Sequence, residues 1–459
     1  MSDRILKVPH VVKGRLVEGA DIEHLSRDTG SRFATPQLDL SNLVWSRTEP
    51  GPAFDVPLTE IMDLLVETGL RLDAGNQYLK EALEALAPVS TLSAPTLRNC
   101  FESLPRFFNR EALEFQADQG GLGSVDSWRQ VSGPDRSTHW VRGFPPRLVH
   151  ILPGNTPMTA ATTIITGALT KGVHLLKMAS NELFSATAVL RTMADIDPDH
   201  PVVHSFSAVY WRGGDEQVES VIYRPQFFDK LVAWGGEASI RHALKYIGPG
   251  FELVTYDPKS SVSVIGKEAF ASDQVLREVA DRAAADATVF EQDACVASRF
   301  HFVESSVDDA DRYGQMLAEA LPKERPFASA GGTHPTPSDI REVVDVLRDL
   351  EPEYRVWGDY SGAGLVVRSD EPVDFFPDAR TVNIVPVGSL LDVARFATVA
   401  TQTVSMFPIE RAVQIRDALA SAGVQQISNL GQAGHGLPGL PHDGMLPMPR
   451  LLRWVVQSD

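Results

Sequence analysis

Cys295 lies in the segment VFEQDACVASRFHFVE, residues 289–304, and its thiolate could attack a carbonyl carbon. The chain contains two cysteines, and this one follows the polar residues 291–293 and precedes a strand-like run. A free thiol titrates at about 8.5, so a neighbouring donor or a helix terminus would have to raise the thiolate fraction. The alternative is an inert core cysteine, because cysteine is often buried. We adopt that second interpretation for Cys100, which lies on an amphipathic helix.

A thiolate that attacks a carbonyl needs hydrogen-bond donors aimed at the oxyanion that forms. Asn155, in LPGNTPM, could donate from its side-chain amide, although it could also be a turn residue that caps the next helix. Lys177, at the end of VHLLK, could contact a ribose hydroxyl or a phosphate, or be an ordinary solvated lysine. Gly235 and Gly236 could let the backbone approach a pyrophosphate, or simply begin a helix.

The elements around these residues alternate between strands and helices. Apolar residues at helical spacing predict mostly helices over 57–120. The strands predicted next are 147–152, 173–179, 202–211, 229–236 and 251–257, and the helices between them are 158–172, 180–196 and 237–248. This alternation predicts a doubly wound parallel sheet, whose ligands bind at the carboxyl ends of the strands. The turns at 153–157, 177–182 and 233–238 fall there.

A second α/β unit follows a boundary near residue 257. Strands are predicted at 261–266 and 299–304, and helices at 274–290 and 308–322. We predict a nucleotide-binding domain over 1–256, a catalytic domain over 257–430 that carries Cys295, and a tail over 431–459 that packs back or bridges subunits. Cys295 is then expected to face the first unit across a cleft.

Composition narrows the classes of function. A formal net charge of −18 argues against nucleic acid or an anionic membrane as the main partner. No stretch approaches the roughly 20 apolar residues of a membrane span. The first residues, MSDRILKVPH, lack the apolar segment of a signal peptide. We therefore predict a cytoplasmic protein, and no metal site.

The order and spacing of LPGNTPM, LLKMAS, AWGGEASI and EQDACVAS resemble the aldehyde dehydrogenase superfamily. The cysteine segment and the tail PHDGMLPMPRLLRWV are most similar to the LuxC-type acyl-CoA reductases, and the resemblance runs from about residue 90 to the end. It implies an aldehyde-dehydrogenase-like α/β fold, with a Rossmann-type cofactor domain and an α/β catalytic domain separated by a cleft. It also implies that Cys295 accepts the acyl group, and that Asn155 and the Cys295 backbone N–H form the oxyanion hole.

The same resemblance implies the cofactor contacts. Lys177 and Ser180 would bind the adenosine ribose or its 2′-phosphate, and Gly235 and Gly236 would border the pyrophosphate. No carboxylate follows Lys177 directly, which favours NADPH. NADH stays open, because Glu182 could approach the ribose.

One departure from the superfamily pattern concerns hydrolysis. Hydrolytic aldehyde dehydrogenases carry Glu-Leu-Gly-Gly-Lys after the glycine turn, and the glutamate activates the deacylating water. The matching stretch here is TYDPK, with Thr255 in the place of the glutamate. A hydroxyl cannot serve as a general base near pH 7, whereas a carboxylate can. Glu252 lies three positions earlier, and strand alternation places it on the opposite face from Thr255.

These observations lead to one hypothesis and leave three alternatives. The hypothesis is NADPH-dependent reduction of an acyl-CoA, or another acyl thioester, to the aldehyde through acyl-Cys295, with coenzyme A leaving. The alternatives are a CoA-acylating aldehyde dehydrogenase that uses NAD in the oxidising direction, a hydrolytic aldehyde dehydrogenase with Glu252 or Glu291 as base, and a non-catalytic acyl-carrier or assembly subunit. We also expect a homodimer or tetramer, with room for an acyl-donating or aldehyde-consuming partner enzyme.

Overall fold

A computed structural model describes residues 5–26, 29–119 and 123–458. The described residues leave out positions 1–4, 27–28, 120–122 and 459. These positions fall within the predicted domains. Residues 1–4 also belong to the segment in which we looked for a signal peptide. The chain divides into two compact units. The first comprises Met1–Thr91, Cys100–Asp257 and Leu437–Asp459, and the second comprises Leu92–Asn99 and Pro258–Gly436. Among the described helices, none combines the length and the apolar character that a membrane span requires.

The strands are, in chain order, β1 (Leu6–Lys7), β2 (His10–Val12), β3 (Arg15–Val17), β4 (Ile22–Leu25), β5 (Arg32–Thr35), β6 (Arg129–Ser132), β7 (Thr138–Phe144), β8 (Arg147–Ile151), β9 (Val173–Lys177), β10 (Phe206–Val209), β11 (Lys230–Trp234), β12 (Glu252–Tyr256), β13 (Ser260–Ile265), β14 (Ser298–Glu304), β15 (Arg355–Gly358), β16 (Leu365–Arg368), β17 (Thr381–Val387), β18 (Thr401–Phe407), β19 (Gln426–Asn429) and β20 (Arg453–Ser458).

The α-helices are α1 (Leu58–Arg71), α2 (Gln77–Leu86), α3 (Ala94–Glu102), α4 (Arg110–Gln119), α5 (Gly123–Asp126), α6 (Pro157–Leu169), α7 (Ser185–Ile196), α8 (Pro201–His204), α9 (Glu216–Ile222), α10 (Glu237–Ala243), α11 (Asp273–Thr288), α12 (Val307–Ala320), α13 (Ser338–Arg348), α14 (Ala412–Ala422) and α15 (Pro447–Leu451). Short 3₁₀ turns cover Leu104–Phe108, Leu244–Tyr246, Lys267–Ala271, Leu390–Arg395 and Ile409–Arg411.

The main sheet of the first unit has the strand order β12-β11-β8-β9-β10-β2-β3. The strands from β12 to β10 are parallel, and the β2–β3 hairpin adds an antiparallel edge. All five residues of β9 are buried, as expected for a parallel strand covered on both faces. Apolar side chains such as Val149, Leu175 and Leu231 form the core there. The predicted parallel sheet is therefore confirmed.

The second unit contains another sheet, with the order β15-β16-β17-β14-β13-β18-β19. Its strands are parallel except for the edge strand β15. Helix α11 packs on it through alanines at positions 280, 283, 284 and 287, whose spacing keeps them on one face. Small side chains let the helix backbone come close to the sheet. The chain enters the Cys295 turn directly from this helix.

The bounds of several predicted elements are wrong, as three examples show. The strand predicted over 202–211 begins only at Phe206, because Pro201 starts the helical turn α8, and the His200 ring caps that turn by accepting from the Val202 N–H at 3.1 Å. The helix predicted over 180–196 begins at Ser185, after a turn. The helix predicted over 274–290 ends at Thr288, and the backbone becomes left-handed two residues later, at Phe290. Local capping contacts decide the first two boundaries.

Candidate functional site

The sequence-predicted cofactor residues meet at one edge of the first unit's sheet. Lys177 is the last residue of β9, and Gly235 follows the last residue of β11. Asn155 stands in the turn that joins β8 to α6. Because β11, β8 and β9 are parallel neighbours, their carboxyl ends share an edge. Ser180 lies in the turn after β9, and Gly236 lies in the turn after β11. The structure therefore brings these five residues to the edge where such sheets bind ligands.

Asn155 does not cap helix α6, so that alternative interpretation is wrong. The cap is Thr156, whose hydroxyl accepts from the Met158 N–H at 3.3 Å. Cys100 supports the turn from below through a hydrogen bond to Thr156, and burial raises the pKa of its thiol to about 12. Cys100 is fully buried, which confirms its prediction as a core residue. The half-buried Asn155 side chain therefore does not serve as that cap.

Lys177 is held by aromatic rings, and the interpretation as a solvated lysine is wrong. Its side chain is buried. The ammonium lies 5.7 Å from the ring centre of Tyr210 and 5.6 Å from that of Trp211. Ring faces attract a cation and restrict where it can go. Nothing in the sequence indicates that these rings contact Lys177. Both aromatic residues follow the next strand, more than 30 positions along the chain.

Glu182 turns into the protein and away from the edge of the sheet. Its carboxylate accepts from the Ser185 N–H at 3.1 Å and from the Ser185 hydroxyl, and so caps helix α7. Burial raises the pKa of this carboxyl to about 7. The concern that Glu182 could approach a ribose is therefore not supported by its position.

We expect Glu182→Gln to reduce the loss of stability between pH 5 and pH 8. The folded-state pKa of about 7 lies above the ordinary value of 4.5, so the folded state retains the proton and loses stability as pH rises through this range. Over the whole pH range, the change in the free energy of unfolding is on the order of 3 kcal/mol. Thermal melting at several pH values measures it, as a difference from the unaltered chain, which cancels the titration of buried histidines. The exposed Glu84→Gln is the matched control, and identical pH profiles for all three proteins would contradict the assignment.

The glycine turn leaves open space at the end of β11. Gly235 adopts φ +155°, which side-chain-bearing residues rarely adopt. A Cβ built on Gly236 would meet nothing within 4 Å. Trp234, just before the turn, stacks on Tyr256 with ring centres 3.6 Å apart. The backbone at this turn is thus accessible, beside a rigid aromatic pair.

The PHDG segment of the tail folds onto this aromatic pair. His442 and Met445 exchange backbone hydrogen bonds of 2.9 and 3.1 Å. Asp443 and Gly444 between them have φ of 50° and 73°, as in a type I′ turn, which favours Asp-Gly. The His442 ring centre lies 5.6 Å from that of Trp234 and 5.5 Å from that of Tyr256. The Asp-Gly pair signalled the turn, but nothing local signalled its partners.

Cys295 belongs to the second unit, in the turn between α11 and β14, and its side chain is partly exposed. The backbone carbonyl of Cys295 accepts from the Ser261 hydroxyl at 2.7 Å. The same hydroxyl accepts from the Thr403 N–H at 3.1 Å. Ser261 and Thr403 lie on the neighbouring strands β13 and β18, so the cysteine backbone is tied to the sheet.

Three consecutive left-handed residues precede Cys295. Phe290, Glu291 and Gln292 have φ of 50°, 59° and 69°. Each such residue with a side chain costs about 1–2 kcal/mol, so runs of them are rare. Strain of this kind persists only where the surroundings impose it, and it concentrates at functional sites.

Buried polar contacts hold this turn. The carboxylate of Glu291 pairs with Arg380, and it accepts from the Ser329 N–H at 2.9 Å and from the Thr96 hydroxyl at 3.1 Å. Both members of the ion pair are buried, with Arg380 1% exposed. Arg299 donates to the Gln292 carbonyl. Glu291 is thus committed to structure, which argues against it as a general base.

Arg299 is a candidate site residue that sequence reasoning missed. Burial lowers the pKa of this guanidinium, whereas the charges of Asp378, Asp293 and Cys295 act in the opposite direction. The interaction with Cys295 is the smallest of these charge interactions, and a cation that interacts with a thiol favours its thiolate form. The signal in the sequence was weak, since an arginine one residue into a strand usually points to solvent.

The second candidate base, Glu252, is also engaged. It starts β12, at the end opposite to the cofactor edge, and its carboxylate lies 3.3 Å from both Lys230 and Arg450. Thr255 lies near the carboxyl end of the same strand on the other face, as strand alternation requires. Neither glutamate of the hydrolytic alternative is placed as that alternative needs.

Comparisons with known proteins identify a matching family and several relatives. A family model described as acyl-CoA reductase (LuxC) matches residues 53–454. The long-chain acyl-protein thioester reductase of Vibrio harveyi is 28% identical over 323 residues, which are 69% of this chain and 65% of that protein. That of Photorhabdus luminescens is 29% identical over 322 residues, with the same coverage of 69% and 65%. The chain thus matches just under two thirds of the length of these relatives.

Solved structures show the fold. Aldehyde dehydrogenase 21 from Physcomitrella patens superposes with a TM-score of 0.73 at 13% identity, covering 100% of this chain and 99% of that one. NADP-dependent glyceraldehyde-3-phosphate dehydrogenase from Bacillus halodurans gives 0.70 at 15% identity, covering 99% of both chains. The predicted aldehyde-dehydrogenase-like fold is confirmed.

Proposed function

The chain belongs to the acyl-CoA reductase (LuxC) family, and on that premise we propose that it reduces an acyl thioester to an aldehyde with NADPH through an acyl-Cys295 intermediate. The observation that carries the proposal is the strained, partly exposed cysteine turn. The buried Glu291–Arg380 ion pair holds this turn, and Arg299 interacts with the charge of Cys295. The names of the relatives favour a long-chain acyl group carried on a protein thiol. Coenzyme A is the other carrier we include, as the family name suggests.

The first half of the reaction transfers the acyl group to the enzyme. The Cys295 thiolate attacks the thioester carbonyl, the carbon–sulfur bond to the carrier breaks, and the carrier leaves as a thiolate. The Asn155 amide and the Cys295 backbone N–H would stabilise the oxyanion. Arg299 supports the attack because its positive charge favours the thiolate over the thiol.

The second half reduces the acyl group. NADPH, when bound, supplies the hydride that converts the acyl carbonyl into a hemithioacetal oxyanion. The carbon–sulfur bond to Cys295 then breaks, and this releases the aldehyde and restores the thiolate. With Thr255 in the place of a carboxylate, and Glu252 and Glu291 in ion pairs, no assigned base activates water against the acyl-enzyme. The intermediate should therefore last until reduction.

The residues of the first unit fit a nicotinamide dinucleotide phosphate. Lys177 offers a positioned ammonium, Gly236 has open space beside it, and Ser180 follows Lys177 without an intervening carboxylate. Glu182 is buried and bonded to Ser185 at the start of α7, so its carboxyl is not available to a 2′-phosphate. These features support NADPH over NADH.

Intact-mass spectrometry tests the proposal. Incubation with acyl-CoAs or acyl-protein, without cofactor, should add one acyl group at Cys295. Adding NADPH should remove it with release of aldehyde, and NADH should do so less efficiently. Acid formation from aldehyde and NADP⁺ without any thiol would instead support the hydrolytic alternative. Nucleotide binding with no adduct from any thioester would support the non-catalytic subunit.

We expect Asn155→Ala to slow acylation by about 10²- to 10³-fold, as for loss of one oxyanion donor. Dissociation constants for NADPH should change little, because the amide is proposed to act on the acyl carbonyl. Single-turnover mass spectrometry gives the acylation rate. Asn42→Ala, at an exposed turn, is the matched control. An acylation rate equal to that of the control would remove Asn155 from the oxyanion hole.

A further inference from the structure

The tail motif PMPRLLRW builds one wall of a cavity that the proposed function does not use. The cavity has a volume of about 680 Å³ and lies within the first unit. Lys230 and Glu252, the first residues of β11 and β12, form its floor. It therefore sits at the amino ends of these strands, whereas the glycine turn and Thr255 lie at their carboxyl ends.

Cations outnumber carboxylates around this cavity, although the chain as a whole carries −18. Its charged lining residues are Arg47, Lys230, Arg450, Arg453, Asp229 and Glu252. Both carboxylates are already shared: Asp229 pairs with Arg47 at 2.9 Å, and Glu252 pairs with Lys230 and Arg450 at 3.3 Å. These pairs neutralise only part of the positive charge that lines the cavity.

Arg453 carries part of that remaining charge. Its guanidinium lies 5.0 Å from the ring centre of Phe144, and among the residues that the structure describes it has no carboxylate partner. Burial lowers the pKa of the neighbouring Arg147, and the charges of Arg47 and Arg453 lower it further. The charge of Asp229 acts in the opposite direction, so one carboxylate faces three guanidinium groups at this end of the sheet.

Two hydrogen bonds tie the tail segment of the wall to its surroundings. The Lys230 ammonium, on a buried side chain, donates to the Arg450 carbonyl at 2.7 Å and ties the tail to the sheet. The indole N–H of Trp454, a side chain that is 47% exposed, donates to the Pro449 carbonyl at 3.2 Å. A volume of 680 Å³ falls in the range of about 300–1,000 Å³ that is usual for small-molecule sites.

We propose that this cavity binds a small phosphate-bearing anion, at a site separate from the cofactor edge. Guanidinium groups hold phosphate oxygens in pairs, and Arg450 and Arg453 line the same cavity. The concave shape favours a small molecule over an acidic polypeptide. The phosphate could be inorganic or part of a nucleotide, and the indole wall of Trp454 offers a surface on which a base could stack.

Isothermal titration of the full chain with inorganic pyrophosphate tests the proposal. Saturating NADP⁺ is present throughout, so that the cofactor edge is occupied. Arg453→Gln and Arg450→Gln should each weaken binding at least tenfold. Arg416→Gln, an exposed arginine on α14, is the matched control and should bind as the unaltered chain does. Cys295→Ala should also bind normally, which separates this result from the proposed function.

A second titration, with ADP under the same conditions, distinguishes the two sources. Tighter binding of ADP than of pyrophosphate, lost in Trp454→Leu, indicates a nucleotide, and equal binding indicates the phosphate alone. Either outcome supports the site. Absence of pyrophosphate binding, or binding that is unchanged in Arg453→Gln, overturns it. So does binding of a polyglutamate peptide, with the same dependence on Arg453, in a chain that does not bind pyrophosphate.

Discussion

Cys295→Ala is expected to lower the rate of thioester reduction by at least about 10⁴-fold, the scale seen when a covalent nucleophile is removed. No other thiol can replace it. Cys100 is fully buried, and its thiol has a pKa raised to about 12, so it holds almost no thiolate at neutral pH. The acyl adduct in the intact-mass spectrum should vanish together with aldehyde formation.

Cys100→Ala is the matched control for this experiment, because it removes the second of the two cysteines. It should keep the adduct, with some loss of stability from the missing contact to Thr156. Thermal melting of both variants establishes that they are folded, and NADPH binding should survive in Cys295→Ala. An adduct that persists in Cys295→Ala would place the nucleophile elsewhere and end the proposed mechanism.

The sheet and the cofactor edge could be predicted because their signals are local. A parallel strand buried on both faces is a short apolar run, as VHLLK in β9 shows, and its carboxyl end follows from chain direction. Lys177 and Gly235 therefore reached the same edge on sequence reasoning alone. The order of the motifs along the chain predicted the family, and the match over residues 53–454 confirms that prediction.

The turn before Cys295 could not be predicted, because no local residue demands it. The segment Phe290–Glu291–Gln292 has no glycine or asparagine, the residues that usually accept positive φ. Its conformation depends on Arg380, 89 positions later, and on Thr96, 195 positions earlier. The same holds for His442: Asp-Gly signals a turn, but only the folded chain brings it against Trp234 and Tyr256.

Because the turn depends on these distant contacts, we expect it to be sensitive to changes in the Glu291–Arg380 pair. Arg380→Met should destabilise the second unit by about 3–5 kcal/mol, because it leaves the buried Glu291 carboxylate without its cation. Urea unfolding monitored by circular dichroism gives this difference. Arg241→Met, in a pair whose side chains are 76% and 69% exposed, should cost at most about 1 kcal/mol and serves as the control.

The double variant Glu291→Gln/Arg380→Met separates charge from shape. It removes the uncompensated carboxylate, so it should recover a substantial part of the stability that Arg380→Met alone loses. It should not recover the acylation rate, because the amide no longer anchors the left-handed turn that presents Cys295. Equal stability of the single and double variants would mean that packing around Arg380, rather than its charge, holds the turn. Full acylation in a stable double variant would show that the nucleophile does not need this strained backbone.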